Sequence, residues 1–322
     1  MKFRTEIDIK PWQRQIDYSH KLLSLGSCFA TNMAQRLAER KFKVSSSPTG
    51  ILFNPASIAQ SVELMAAGYR VTTSDLIECN GRYASYLFHS DFSAVEEQQA
   101  IAQMQQALDN GAKALREANH LIITLGTAWV YRLRKTGGVV ANCHKQPSAI
   151  FSRELLSIEQ IISSLETILK HTSAQLILTI SPVRHLGEGM EDNSLSKALL
   201  RVAVAEFVAR HSERTVYFPS FEILIDDLRD YRFYGDDLVH PSAMAIDYIA
   251  EKFFEAALTP KARQLSYEVE RVVRAANHRP QNPASKQHKV FCGKQLETIA
   301  KLKDVDLSKE SEYFEQMLQI NL

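Results

Sequence analysis

Cysteine, glycine and net charge are all scarce in this chain, and each scarcity removes a class of protein. Four cysteines, Cys28, Cys79, Cys143 and Cys292, stand far apart among 322 residues with no CxxC pair. That pattern excludes a disulfide scaffold, and the thiols read as reduced. Ten histidines are scattered without His-x-x-x-His spacing, so no metal site is expected. Twelve glycines form no phosphate-cradling loop, which leaves nucleotide binding without a motif. Lysine and arginine total 38 against 37 acidic residues. The resulting charge of +1 argues for neither nucleic acid nor an anionic membrane surface as a partner. No segment approaches the roughly 18 apolar residues of a spanning helix. Residues 1–19 mix Lys2, Arg4, Lys10 and Arg14 with acids and lack an apolar signal core. The expected address is the cytoplasm.

What is present is a core-forming chain, 45% apolar, with room for one large domain or two ordinary ones. Short aliphatic runs recur: Leu22 to Leu25, Leu121 to Leu125 and Leu176 to Ile180, with a shorter fourth strand expected at Thr215 to Phe218. A further strand is expected at Lys43 to Ser46. Between the runs lie helical patterns: Phe29, Met33 and Leu37; Ala56 to Ala66, capped by Asn54 or Ser57; Ser93 to Asn119; Arg153 to Lys170; and Asn193 to His211. Short strands alternating with longer helices predict a parallel sheet covered on both faces. Lys135-Thr136-Gly137 lies between Trp129–Leu133 and 138–142, which predicts a hairpin after the second strand. Ala243 to Leu258 closes this region as a helix, and Pro260 breaks it. Beyond come Arg-rich helix over 261–278, a Pro-rich linker at 279–283, and amphipathic helix from Phe291 to Leu322. The predicted organisation is one sandwich domain over 1–260 and a helical appendage over 261–322. The appendage's basic residues read as a solvated face.

The chemistry gathers at strand ends. Gly26-Ser27-Cys28-Phe29 follows the first strand and opens a helix. Such a turn presents a nucleophile with helix N–H groups beside it, though it also fits a plain cap with Ser27 on the helix and Cys28 as filler. Asp237 and His240, three apart before the last sandwich helix, can pair as carboxylate and imidazole. In open α/β sheets, ligands bind beyond the carboxyl ends of the strands, so these groups should converge there. Asn142 and His144 at the hairpin end, and Arg184 and His185 after the third long strand, are further candidates.

Gly26-Ser27-Cys28-Phe29-Ala30 resembles the signature that names the GSCFA family, and Asp237-Leu238-Val239-His240-Pro241 is similar to the Asp-x-x-His-Pro block of the wider SGNH hydrolases. The resemblance covers roughly residues 20 to 260. It implies a three-layer α/β/α sandwich with a mostly parallel, flavodoxin-like sheet, and ester hydrolysis or acyl transfer. Against the Gly-Asp-Ser of SGNH enzymes, Cys28 falls at the nucleophile position; a one-residue slip restores Ser27. The superfamily's Gly-x-Asn-Asp block is replaced by Gly126-Thr127-Ala128-Trp129. An oxyanion donor must then come from elsewhere, with Asn142 or His144 and the backbone N–H of Gly50 as candidates.

Two functions follow. One is an SGNH-like esterase or O-acyltransferase acting on a short acyl ester of a carbohydrate or small metabolite. In it Cys28 or Ser27 attacks, His240 moves the proton, Asp237 orients His240, and Arg184 and His185 touch substrate. Hydrolysis implies no cofactor; transfer needs an acyl donor such as acyl-coenzyme A, for which no binding motif is legible. The alternative is a binding or scaffold protein that keeps the sandwich without the chemistry. The sequence leaves the oligomeric state open.

Overall fold

The computed structural model describes residues 4–320. Its elements run β1 (Lys21–Gly26), α1 (Cys28–Glu39), β2 (Lys43–Ser46), α2 (Pro55–Ala66), β3 (Ile77–Cys79), β4 (Arg82–Ala84), α3 (Glu97–Glu117), β5 (His120–Leu125), β6 (Trp129–Leu133), β7 (Val139–Val140) and β8 (Phe151–Leu155). There follow α4 (Ile158–Lys170), β9 (Gln175–Ile180), α5 (Met190–Arg210), β10 (Thr215–Phe218), the single turn α6 (Ser220–Glu222), α7 (Ala243–Ala257), α8 (Pro260–Asn277), α9 (Lys286–Ile299) and α10 (Ser308–Gln319).

The central sheet has five strands in the order β10-β9-β5-β1-β2, every pairing parallel. This is the flavodoxin-like order, and its switch point lies between β1 and β5. Period-two alternation sorts side chains to the two faces. Leu22, Ile122 and Ile177 pack with Phe29, Met33 and Leu37 of α1 and Ile246, Ile249 and Phe253 of α7. Leu23, Leu25, Leu121, Ile123, Leu176 and Leu178 pack against α2, α3, α4 and α5 on the other face. The three layers expected from the sequence are therefore present.

Several boundaries differ from expectation. Arg153 begins no helix: Phe151–Leu155 pairs antiparallel with β6, and α4 starts after it with Ser157 and Gln160 forming a capping box. Ahead of α3, β3 and β4 pair as a small antiparallel hairpin. Asn54 caps α2 through Ser57 N, 2.8 Å away, as expected. The helix expected from Phe291 onward is two, α9 and α10, and its last two positions, 321 and 322, lie outside the described residues. With α8 these enclose a separate small core of Val269, Val272, Cys292, Leu302 and Phe314. No helix among the described residues is long and apolar enough to cross a membrane.

Candidate active site

The turn after β1 is tight because the neighbouring strand is close. Gly26 has φ +133°, and a Cβ there would lie 2.2 Å from the Thr124 carbonyl oxygen of β5. Ser27 N–H donates to that same carbonyl at 3.1 Å, fixing the turn on the central strand. Ser27 is the residue preceding α1, yet its side chain makes no capping bond, and its Oγ is buried without a hydrogen-bond partner. Ser27 has no exposed surface, whereas Cys28, first residue of α1, is half-buried. At the helix start the N–H groups of Phe29 and of Cys28 itself favour the thiolate. These are groups that no helical carbonyl satisfies.

Asp237 and His240 sit on a loop closed by Gly235 N–H donating to His240 O and by Leu238 N–H donating to Gly235 O. Leu238 is left-handed there, with φ +58°. This twist lets Asp237 Oδ1 accept the N–H groups of Val239 and His240 at 2.9 and 3.0 Å, while Oδ2 accepts His240 Nδ1–H at 2.6 Å. Those bonds hold the Asp237 carboxyl down at about 2. It is therefore ionised throughout the neutral range, and the Nδ1 bond fixes the tautomer that leaves His240 Nε2 to accept a proton. Asp237 does not cap α7; Ser242 does, accepting from Ala245 N–H. Burial above all, and the Asp237 carboxylate least, push the Cys28 thiol up; the helix-start N–H groups and then the Lys197 ammonium pull it down, and the net direction is upward.

Arg184 is engaged within the fold. Its guanidinium lies 3.9 Å from the Tyr234 ring centroid and donates to Leu238 O, while its N–H donates to Val239 O. It ties the loop of His240 to the end of β9. His185 turns inward: its ring meets Phe53 edge-on, and its Nε2 is buried without a partner. A Cβ added to Gly126 would lie 3.1 Å from that Nε2 and 3.4 Å from Ser27 Cβ, so Gly126 separates the two side chains. Burial, Lys197 and His240 hold the His185 imidazole down at about 4, hence neutral near pH 7.

The candidates for the oxyanion fare differently. Gly50 N–H is engaged by Ser47 O at 2.8 Å and so is not available as a donor. The glycine is needed instead for its φ of +90° and because a Cβ would strike His89 at 2.2 Å. Asn142 Oδ1 accepts His144 N–H, and the buried His144 ring bonds Ser85 O at 2.7 Å. Both follow β7, the edge strand of the small sheet β7-β6-β8, and the His144 ring is held within the fold while Asn142 uses its carbonyl oxygen. The switch point is lined instead by the loop after Gly50: Leu52 N–H donates to Gly26 O, and the N–H groups of Gly126 and Thr127 donate to Phe53 O.

Lys197, with Asn193 and Ser196, was absent from the sequence-derived site. Asn193 Oδ1 accepts His185 N–H, Ser196 Oγ accepts Ala128 N–H, and Lys197 Nζ donates to Gly126 O and Ser181 O. The signal lay in helical phase: Asn193, Lys197, Leu200 and Val204 all fall on the buried face of α5. Among the described residues no cluster of three metal-ligating side chains occurs.

A flavodoxin-like α/β/α sandwich carrying a helix-start thiol and a hydrogen-bonded His–Asp pair at its carboxyl edge defines the class. The chain belongs to the GSCFA family, whose model matches residues 21–253, and the model of the GSCFA domain protein C-terminal domain matches residues 269–320. No curated protein matches the chain. Among solved structures, that of a carbohydrate esterase family 3 from Talaromyces cellulolyticus aligns at TM-score 0.35 and 11% identity, over 77% of this chain and 99% of that chain.

Proposed function

We propose that this protein cleaves or transfers a short acyl ester through a Cys28–His240–Asp237 centre, the substrate being an ester of a carbohydrate or small metabolite. The observation that supports it most is the 2.6 Å bond from His240 Nδ1 to Asp237 Oδ2 on a loop whose carboxylate acts on the Cys28 thiol. Cys28 Sγ gives its proton to His240 Nε2 and bonds the acyl carbon, and the carbonyl π pair moves onto oxygen. The N–H groups at the start of α1 meet that oxyanion. When the tetrahedral species collapses, the C–O bond breaks and the leaving alkoxide takes the proton back from His240. Water, deprotonated by His240, or an acceptor alcohol then releases the acyl group from sulfur. Exposure favours Cys28 over Ser27, since Ser27 presents no surface to a substrate.

Hydrolysis of a short-chain nitrophenyl ester tests this. His240→Ala should lower kcat by about 100- to 10,000-fold, and Cys28→Ala should abolish a covalent acyl-enzyme seen by mass spectrometry. Activity that survives Cys28→Ala and dies in Ser27→Ala moves the nucleophile to Ser27. Equal turnover in His240→Ala and the wild type favours the second reading, a binding protein on the same sandwich. That reading draws on Gly50, whose N–H is spent in its own turn.

A further inference from the structure

A lysine that is 2% exposed at the carboxyl edge of a parallel sheet calls for explanation, because taking an ammonium out of water is costly. Lys197 Nζ lies 2.6 Å from Gly126 O and 2.7 Å from Ser181 O, the residues that immediately follow β5 and β9. Gly126 in turn packs on Ser27 and His185. Two neighbours on the same turn of α5 hold the adjoining backbone: Asn193 the N–H of His185, and Ser196 the N–H of Ala128. One face of one helix thus pins the end of β5, the strand beside the nucleophile turn, to the end of the next strand, β9.

We infer that Lys197 is a positioning residue of the proposed centre: clamped between the ends of β5 and β9, its ammonium is the fixed positive charge that favours the Cys28 thiolate and the oxyanion formed by its attack. The inference rests on Cys28 being the nucleophile. The two carbonyl oxygens favour the charged form of the amine through hydrogen bonds. The position suits the site because Ala128 stands where the superfamily resemblance expects an asparagine donor, and this chain supplies none there. A buried cation offsets that loss at longer range, since charge acts more strongly where water is excluded.

The charged and titratable groups acting on Cys28 come from three elements. Lys197 of α5 favours the thiolate, Asp237 of the 234–241 loop opposes it, and the N–H groups of α1 favour it. His240 is bonded to Asp237, and His185, which feels both Lys197 and His240, is held neutral. Burial is the largest influence and already pushes the thiol up; removing Lys197 takes away one of the groups that oppose it, so the thiol should become harder to ionise.

The test is the pH dependence of Cys28 alkylation by iodoacetamide, followed on the Cys28 peptide by mass spectrometry so that Cys79, Cys143 and Cys292 do not interfere. In Lys197→Gln, which keeps an N–H donor for the carbonyls, the midpoint should move to higher pH and the rate at pH 7 should fall about tenfold for each unit moved. Lys197→Arg should restore the wild-type midpoint. Thermal melting confirms that each variant is folded. If Lys197→Gln is not folded, the arginine variant decides: a midpoint displaced upward despite the retained charge overturns the inference, and an unchanged one supports it. A folded Lys197→Gln with the wild-type midpoint also overturns it. This readout needs no ester turnover. Loss of activity in Cys28→Ala with an unmoved midpoint in Lys197→Gln sinks the Lys197 inference alone. Full activity in Cys28→Ala sinks the nucleophile assignment instead.

Discussion

Gly26 carries the geometry of the nucleophile turn in the most literal sense, because it leaves room for a neighbouring backbone. At φ +133°, with Thr124 O 2.2 Å from any added Cβ, alanine at this position meets both an unfavourable dihedral and main-chain atoms that cannot rotate away. Gly26→Ala should therefore destabilise the fold by about 2–4 kcal/mol or prevent it. Urea titration with far-UV circular dichroism measures the loss, and a wild-type midpoint would contradict the assignment. Several site residues are legible in the sequence for a physical reason. A glycine before two small polar residues, ending an aliphatic run, has few uses other than a strand-to-helix turn, and Asp237 and His240 are close enough in sequence to pair within one loop. Lys197 is not legible in the same way. A lysine defaults to solvent, and only its phase among Asn193, Leu200 and Val204 tells otherwise. Gly50 and His144 show the converse, their groups being engaged within the fold. Turn residues carry donors by nature, and whether those donors are spent locally depends on partners such as Ser47 O and Ser85 O that lie in other segments or in the turn's own closure.

At the scale of elements, the strands were read from aliphatic runs and the helices from their apolar stripes, and both survive because buried parallel strands have little other way to appear. β8 is hidden because Phe151–Leu155 carries the adjacent polar pair Arg153 and Glu154, and the chain runs without a visible break into the apolar stripe of α4. The joints between helices were also invisible. Arg40, just past α1 and 4% exposed, donates from Nη2 to Glu251 of α7 and Glu270 of α8, each at 2.8 Å, and lies over the Phe254 ring. One guanidinium therefore ties three helices together, and without it Glu270, largely buried, is left with Arg274, 2.6 Å away. Arg40→Met keeps most of the packing volume but leaves the two carboxylates facing each other. It should cost about 3 kcal/mol, toward the low end for a buried pair because Glu251 is partly exposed. A double-mutant cycle with Glu270→Gln checks the assignment: the second change should recover part of the loss, and strict additivity would argue against a coupled pair.

For the molecule as a whole, two imidazoles held neutral at opposite ends of the sheet, His120 and His185, do most to determine how it meets acid. His120 opens β5, is 3% exposed and has an unpartnered Nδ1; burial and the nearby His20 ring hold it down at about 4. His185, beyond the carboxyl end of β9, is held down at about 4 as well. In the unfolded chain both return to about 6.5. Between about 6.5 and 4 the unfolded state therefore binds more protons than the folded one, so stability is fully present above that window and is lost as pH falls through it. Asp237 acts in a lower window. Its carboxyl, held at about 2, contributes above its unfolded value near 3.8 and loses that contribution only below it. Denaturation midpoints in urea should thus drop steadily from pH 7 to pH 4.5, by an amount on the order of 1–3 kcal/mol for each of the two histidines. His144, also lowered by burial, pulls in the same direction. His120→Gln, which removes the titrating group at the end of the sheet away from the candidate site, should flatten the pH slope while leaving ester turnover at pH 7 close to the wild type. A midpoint independent of pH across that range would show that these rings ionise freely in the folded protein. A slope unchanged in His120→Gln would assign the acid sensitivity to His185 and His144 instead.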